Sequence, residues 1–311
     1  MKIFLDTAEI EEIKDVKDRI DGVTTNPSLL LEAVEKRKEK GEKVELKDYI
    51  SELCATLGHE KPISLEVIGP SIREMICQGR KLYLMFNHVA GNVWVKIPVS
   101  VDGLYAIRQL KKEKIPINTT LIFTPQQALI AGYANADVVS PFAGRLDDYL
   151  AKKAGWDKKK DEYFPVNGIK YPGLDALVLD DKVVSGVNLV YLTADAFKEL
   201  GIECKVLSAS LRYKEHVTES LQAGAHIATM PRKVYDDFMK KEFITASDLV
   251  FNNTLKHTLM LSLRKIPRDV FSMPTKDLEA LLYHPKTKEG IKKFEEDAGK
   301  VPEYAYLLRD R

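Results

Sequence analysis

Cysteine is scarce in this chain: three in 311 residues, Cys54, Cys77 and Cys204, widely spaced and without a CxxC. That argues against a disulfide framework or a thiolate zinc site and points to a reducing cytoplasm. The six histidines (His59, His88, His216, His226, His257, His284) show no HxH or HxxxH spacing, which weighs against a metal-dependent reaction. An excess of one charge is missing too. Lysine plus arginine (47) nearly cancels aspartate plus glutamate (46), so nothing in the net charge of +1 supports a nucleic-acid partner, although a local basic pocket stays open. No apolar run approaches the length of a membrane span. The opening Met1-Lys2-Ile3-Phe4-Leu5 meets Asp6 at once, leaving no secretory apolar core there. The dinucleotide fingerprint GxGxxG is absent, and no repeat of fixed length is evident.

What is present is a recurring unit. The chain is 45% hydrophobic and 30% charged, enough to bury a sizeable core. Eight short apolar segments each run into a polar residue: Ile3 to Leu5 into Asp6, Gly22 to Thr24 into Thr25-Asn26-Pro27, Ile63 to Leu65 into Glu66, and Val93 to Val95 into Lys96. Ile115 to Asn118 runs into Thr119-Thr120, Ala136 to Val139 into Ser140, Cys204 to Leu207 into Ser208-Ala209-Ser210, and Ala225 to Ala228 into Thr229. Amphipathic segments of helical length lie between them: Thr7 to Ile20, Leu46 to Leu57, Leu104 to Glu113, Pro125 to Ala134, Leu189 to Leu200 and Lys214 to Ala223. Pro125 at a first turn and Gly103 just before a helix mark boundaries. Alternation of this kind means a parallel sheet with both faces covered, and eight units predict a closed (β/α)₈ (TIM) barrel spanning 1–311.

The spacing is uneven. Two segments, about 152–186 and about 240–282, exceed what a helix and its loops require and read as insertions on the barrel. Lys158-Lys159-Lys160, flanked by Asp157 and Asp161, reads as a solvated loop rather than a polyanion site. Asp248 to Leu263 has helical spacing, and a last helix is predicted over about 284–300, with its periodic core from Thr287 to Ala298. The C-terminal region is thus extended and helical. These additions pack on the barrel or against a second subunit.

In a parallel barrel, reactive groups come from the C-terminal ends of the strands. Asp6, Asn26, Glu66, Lys96, Asn118, Thr120, Ser140 and Ser210 would all converge on one mouth. Each has an ordinary explanation alone: a helix cap for Asp6, a turn former for Asn26, a β-branched strand residue for Thr120, a snorkelling strand-edge amine for Lys96. Together they place an amine, two carboxylates and several neutral hydrogen-bonding groups at one rim. A lysine among hydrocarbon neighbours is expected to have a lowered pKa and to attack carbonyls as a free amine.

These residues also resemble a known family. Asp6-Thr7-Ala8, Thr24-Thr25-Asn26-Pro27-Ser28, Val95-Lys96-Ile97-Pro98, Asn118-Thr119-Thr120-Leu121-Ile122-Phe123, Ser140-Pro141-Phe142-Ala143-Gly144-Arg145-Leu146-Asp147-Asp148 and Ala209-Ser210-Leu211-Arg212 resemble transaldolases, in order along the chain. The short microbial members, grouped with fructose-6-phosphate aldolases, are the most similar. His284-Pro285 through Phe294 looks like the family's C-terminal segment, whereas the two insertions fall outside the resemblance. The resemblance implies that Lys96 forms a Schiff base with a donor ketose and that Asp6 takes the hydroxyl proton as the carbon–carbon bond breaks. It implies that Glu66 and Thr120 hold a catalytic water, that Asn26 and Asn118 bond the donor hydroxyls, and that Ser140 supports the dihydroxyacetone end. Arg145, Ser210 and Arg212 would bind the substrate phosphate. The chemistry suits these residue types, since a protonated imine is an electron sink and guanidinium forks match phosphate. For each arginine the competing explanation is a surface ion pair, Arg145 with Asp147 or Asp148 and Arg212 with Glu215.

The family contains both transferases and aldolases, and its aldolases resemble one another in having Gln where Glu66 stands and Tyr where Phe142 stands. Glu66 and Phe142 therefore favour a transaldolase moving a dihydroxyacetone unit between sugar phosphates. Phe142 offers no hydroxyl to position water against the intermediate, although core packing alone also accounts for an apolar ring. The alternatives are an aldolase releasing free dihydroxyacetone and a non-catalytic sugar-phosphate-binding barrel. The resemblance implies no cofactor and no metal, a small-molecule partner rather than nucleic acid or membrane, and a homo-oligomer, since family members form rings through the C-terminal helix.

Overall fold

The computed structural model describes residues 1–156, 163–164, 182–240 and 253–301. Its centre is a closed barrel of eight parallel strands: β1 (Lys2–Asp6), β2 (Gly22–Thr24), β3 (Ile63–Glu66), β4 (Val93–Pro98), β5 (Ile117–Ile122), β6 (Val138–Pro141), β7 (Lys205–Ser208) and β8 (Ile227–Met230). Each strand pairs with the next, and β8 returns to β1 with Phe4 opposite Thr229. Around it run α1 (Ile10–Val16), α2 (Pro27–Glu39), α3 (Leu46–Leu57), α4 (Ile72–Ala90), α5 (Val101–Lys112), α6 (Pro125–Tyr133), α7 (Ala143–Lys153), α8 (Gly186–Leu200), α9 (Lys214–Gln222) and α10 (Arg232–Met239). Three more follow β8 and α10: α11 (Asn253–Leu263), α12 (Thr275–Leu282) and α13 (Pro285–Gly299). No described helix is long and apolar enough to cross a membrane.

Local signals explain the helix starts. Asn26 caps α2 by accepting from Leu29 N at 3.0 Å, with Pro27 following at the first turn. Thr124 and Gln127 form a capping box on α6, again with a proline behind the cap. Ser100 caps α5, so Gly103 lies inside that helix instead of before it. A Cβ at Gly103 would stand 2.4 Å from Pro98 O, so the glycine serves close approach of helix to strand.

The strands reach further towards the mouth than their apolar segments suggest. Lys96 is inside β4, Asn118 and Thr120 are inside β5, and Ser140 is inside β6. Polar side chains can stay in these strands because the barrel interior bonds them. Ser140 Oγ donates to Asn118 Oδ1 at 2.6 Å, and Asn118 Nδ2 donates to Ser64 Oγ at 3.1 Å. The two-residue alternation that points Asp6 inward also points Phe4 inward, one layer below. Phe4 fills the space left by Gly22, where a Cβ would meet its ring at 2.5 Å, and packs on Trp94 at 5.7 Å. An apolar floor therefore lies under the polar layer.

Most of the first predicted insertion, including Lys158-Lys159-Lys160, lies outside the described residues, as does 241–252 of the second. The remainder of the second forms α11 and α12, with α11 beginning at Asn253. The predicted last helix is α13. It packs on α2, α7 and β5. Ser28 Oγ donates to Asp297 Oδ2 at 2.5 Å, and Thr287 Oγ1 donates to Leu121 O at 2.9 Å, so the helix is tied across the C-terminal rim of the barrel.

Candidate active site

The barrel register sets the site. Glu66 pairs with Lys96 across β3 and β4, Lys96 with Asn118 across β4 and β5, and Asp6 with Thr24 across β1 and β2. Lys96 is 3% exposed and does not snorkel. Its Nζ lies 3.1 Å from Glu66 Oε2 and donates to Thr25 O at 3.0 Å. Asp6 Oδ1 accepts from Thr24 Oγ1 at 2.7 Å.

Burial pushes the Asp6 carboxyl above the ordinary aspartate range, against the pull of Lys96, the Thr24 hydrogen bond and Arg145. Burial raises Glu66 likewise, opposed by Lys96 and Arg145 and reinforced by Asp6. Two carboxyls with heightened proton affinity thus flank one amine, an arrangement suited to moving protons during carbonyl chemistry. Thr120 Oγ1 is buried and has no hydrogen-bond partner among the described residues.

Asp6, Asn26, Lys96, Ser140, Phe142, Arg145 and Ser210 line one cavity of about 60 Å³. Glu66 backs the amine, and Asn118 reaches the cavity through Ser140. Larger hollows of about 340 and 500 Å³ border α13 but contain none of these residues, so chemistry and not size singles out the site.

Neither arginine makes the ion pair anticipated from its sequence neighbours in the expected form. Arg145 turns inward, its Cζ 5.4 Å from the ring centres of both Phe142 and Phe294. Burial lowers its pKa, with Arg212 acting in the same sense and Asp6 and Glu66 in the opposite one. Asp147, expected as a surface partner, is instead buried against His216, with 2.9 Å between Oδ2 and Nε2. Arg212 pairs with Asp148, not with Glu215, and stays partly exposed outside the cavity lining. Ser210 adopts a left-handed backbone (φ 61°), an uncommon conformation of the kind that clusters at functional sites.

Several participants escaped sequence reasoning. Thr24 and Thr229 line the cavity, and their hydroxyls lie 2.6 Å apart. Both follow strand-forming residues, where threonine reads as backbone preference. Phe294, on α13, stands 6.0 Å from Lys96 Nζ and closes the rim from above. Its helical spacing looked like ordinary packing. Among the described residues no group of three or more His, Cys, Asp or Glu could hold a metal ion.

The profile of the family described as Transaldolase/Fructose-6-phosphate aldolase matches residues 3–303. A "Probable transaldolase" of Clostridium botulinum (strain Langeland) is 38% identical over 236 residues, 75% of this chain and 87% of its own length. Another so named, from Clostridium perfringens, is 36% identical over 262 residues, covering 81% of this chain and all of the relative. One from Nitrosopumilus maritimus is 36% identical over 243 residues, 77% of this chain and 88% of its own. With the match running through all eight strands and into α13, the chain belongs to the transaldolase/fructose-6-phosphate aldolase family.

Proposed function

We propose that this protein is a transaldolase that carries a dihydroxyacetone unit on Lys96. The observation behind this is the buried amine held between Glu66 and the Thr25 carbonyl, with Asp6 lining the same cavity. The amine gives up a proton to Glu66, whose buried carboxyl accepts it readily, and attacks the ketone carbon of the donor. Loss of water leaves an iminium. Asp6 takes the proton from the hydroxyl on the far carbon of the bond to be broken, that carbon becomes the carbonyl of the departing aldehyde, and the electrons of the carbon–carbon bond flow into the iminium. The aldehyde departs, and an enamine remains on Lys96. Attack on an acceptor aldehyde and hydrolysis of the new iminium complete the transfer. Glu66 and the unpaired Thr120 hydroxyl hold the water lost and regained.

Asn26, Asn118 and Ser140 take the donor hydroxyls, and Arg145, Ser210 and Arg212 take the phosphate. The substrates are sedoheptulose 7-phosphate and fructose 6-phosphate as donors, with erythrose 4-phosphate and glyceraldehyde 3-phosphate as acceptors. Transfer is favoured over release because Phe142 is buried, packs at 5.8 Å on Phe123 and carries no hydroxyl to hold water against the enamine.

Borohydride added with fructose 6-phosphate should fix three carbons on Lys96, and Lys96→Ala should abolish both the adduct and turnover. A coupled transfer assay beside a free-dihydroxyacetone control separates the readings. Free dihydroxyacetone without transfer would identify an aldolase, and binding without either product a sugar-phosphate-binding barrel.

A further inference from the structure

Asp147 and His216 form a pair buried on both sides (1% and 0% exposed), away from the lysine cavity and with no part in the chemistry above. Each is committed on both of its polar ends. Asp147 Oδ1 accepts from Gly186 N at 2.7 Å, while Oδ2 faces His216 Nε2 at 2.9 Å. His216 Nδ1 accepts from Arg212 N at 3.2 Å. An accepting Nδ1 leaves the ring hydrogen on Nε2, which donates to Asp147. The imidazole is thus a rigid bridge from α7 to the backbone of the loop after β7.

That loop carries Ser210 and Arg212. Its other side is fastened to the start of α7: Ala143 N donates to Ala209 O at 3.0 Å and Gly144 N to Ser210 O at 3.2 Å. Asp148, the next residue of α7, holds the Arg212 guanidinium. Arg145, three residues before Asp148, faces the cavity. One helix therefore presents one cation itself and fixes the second through its neighbours, while the left-handed Ser210 backbone is clamped between the two anchors.

We infer that Asp147 and His216 are positioning residues for the phosphate end of the substrate. They hold the Arg212 amide so that Ser210, Arg212 and Arg145 meet a single phosphate, and they touch no substrate themselves. This rests on the phosphate-binding role given to those three residues above.

The amide isosteres of histidine divide the bridge. In His216→Gln the side-chain amide reaches Asp147 but leaves Arg212 N without its acceptor. In His216→Asn the shorter side chain keeps the acceptor and loses Asp147. For His216→Gln we expect the KM for fructose 6-phosphate to rise about tenfold with kcat within about twofold, and competitive inhibition by inorganic phosphate to weaken about as much. Borohydride trapping of free dihydroxyacetone on Lys96, which needs no phosphate, should be unchanged. His216→Asn should recover most of the loss, and Asp147→Asn should reproduce the His216→Gln pattern if that variant folds poorly. Equal loss with phosphorylated and unphosphorylated substrates, or no change in either, would overturn the inference. Failure of the unaltered protein to trap dihydroxyacetone would instead overturn the reading of the lysine site.

Discussion

Lys96→Met tests how tightly the amine and Glu66 are coupled. The substitution keeps the side chain out to Cε and removes the nitrogen 3.1 Å from a fully buried carboxyl. A lone buried carboxylate is so costly that Glu66 would take up a proton. The size of the penalty follows from the carboxyl's behaviour in the unfolded chain, where glutamate titrates at about 4.3. Holding it protonated in the fold costs about 1.4 kcal/mol for each pH unit above that value, hence about 4 kcal/mol at pH 7 and about 1 kcal/mol at pH 5. The sign is fixed by proton counting. In the variant the folded state binds one more proton than the unfolded state above the glutamate range, so stability falls as pH rises, further than in the unaltered protein, where Lys96 opposes the rise of the Glu66 pKa. Asp6, whose pKa is also raised and which also feels Lys96, adds in the same direction. Urea unfolding followed by circular dichroism from pH 5 to pH 8 measures the slope. Adding Glu66→Gln to Lys96→Met should remove most of the pH dependence, since no carboxyl is left beside the missing amine. A loss that is the same at pH 5 and pH 8, or that persists in the double variant, would refute the coupling.

Four further variants have expected outcomes. Asp6→Asn should lower transfer by about 10²-fold or more while dihydroxyacetone trapping on Lys96 persists. It should also raise the melting temperature at pH 8, because the raised Asp6 pKa means stability is lost as pH rises through it; the gain should vanish near pH 4, so a gain independent of pH would contradict this. Phe142→Tyr should increase free dihydroxyacetone released per transfer event, read directly by assaying both products; an unchanged ratio would remove Phe142 from the partition. Gly186→Ala should destabilise by about 3 kcal/mol or more, since its Cβ would stand 2.1 Å from Ala143 O, which is backbone. Gly299→Ala, which meets nothing within 4 Å, should be neutral or gain up to about 1 kcal/mol in thermal unfolding.

The barrel and the placement of its candidate rim were largely legible because both rest on local periodicity. Leu46–Leu57 and Gly22–Thr24 appear in the structure with the boundaries their residues indicate, and the apolar run before Lys96 becomes β4. Where the C-terminal ends of the strands differ from the apolar segments, they differ in one direction, towards the mouth. β5 begins at Ile117 and continues through Asn118 and Thr120 to Ile122, and β8 begins two residues late and ends at Met230. Hydrophobicity marks where a strand is buried, but in a barrel the polar layer at the mouth is buried as well, and its side chains satisfy one another across strands. A pattern that stops at the first polar residue therefore stops one layer below the chemistry.

A second kind of miss has a different cause. Phe294 is brought to the site, and Asp147 to His216, by packing between elements far apart in the chain, 198 residues in the case of Lys96 and Phe294. No local spacing signals such a meeting. Histidines weighed only as metal ligands, and Asp147 weighed only as a surface partner for its neighbour Arg145, hid the bond that joins them. The residues that touch substrate in this reading sit at strand ends or, like Arg145 in the first turn of α7, just beyond them, where topology alone predicts convergence. Those that hold them in place sit on α7, α9 and α13, where a helical face looks the same whether it covers a core or braces a site. Positioning residues are thus harder to read than reactive ones, because three-dimensional neighbours, not residue type, define them.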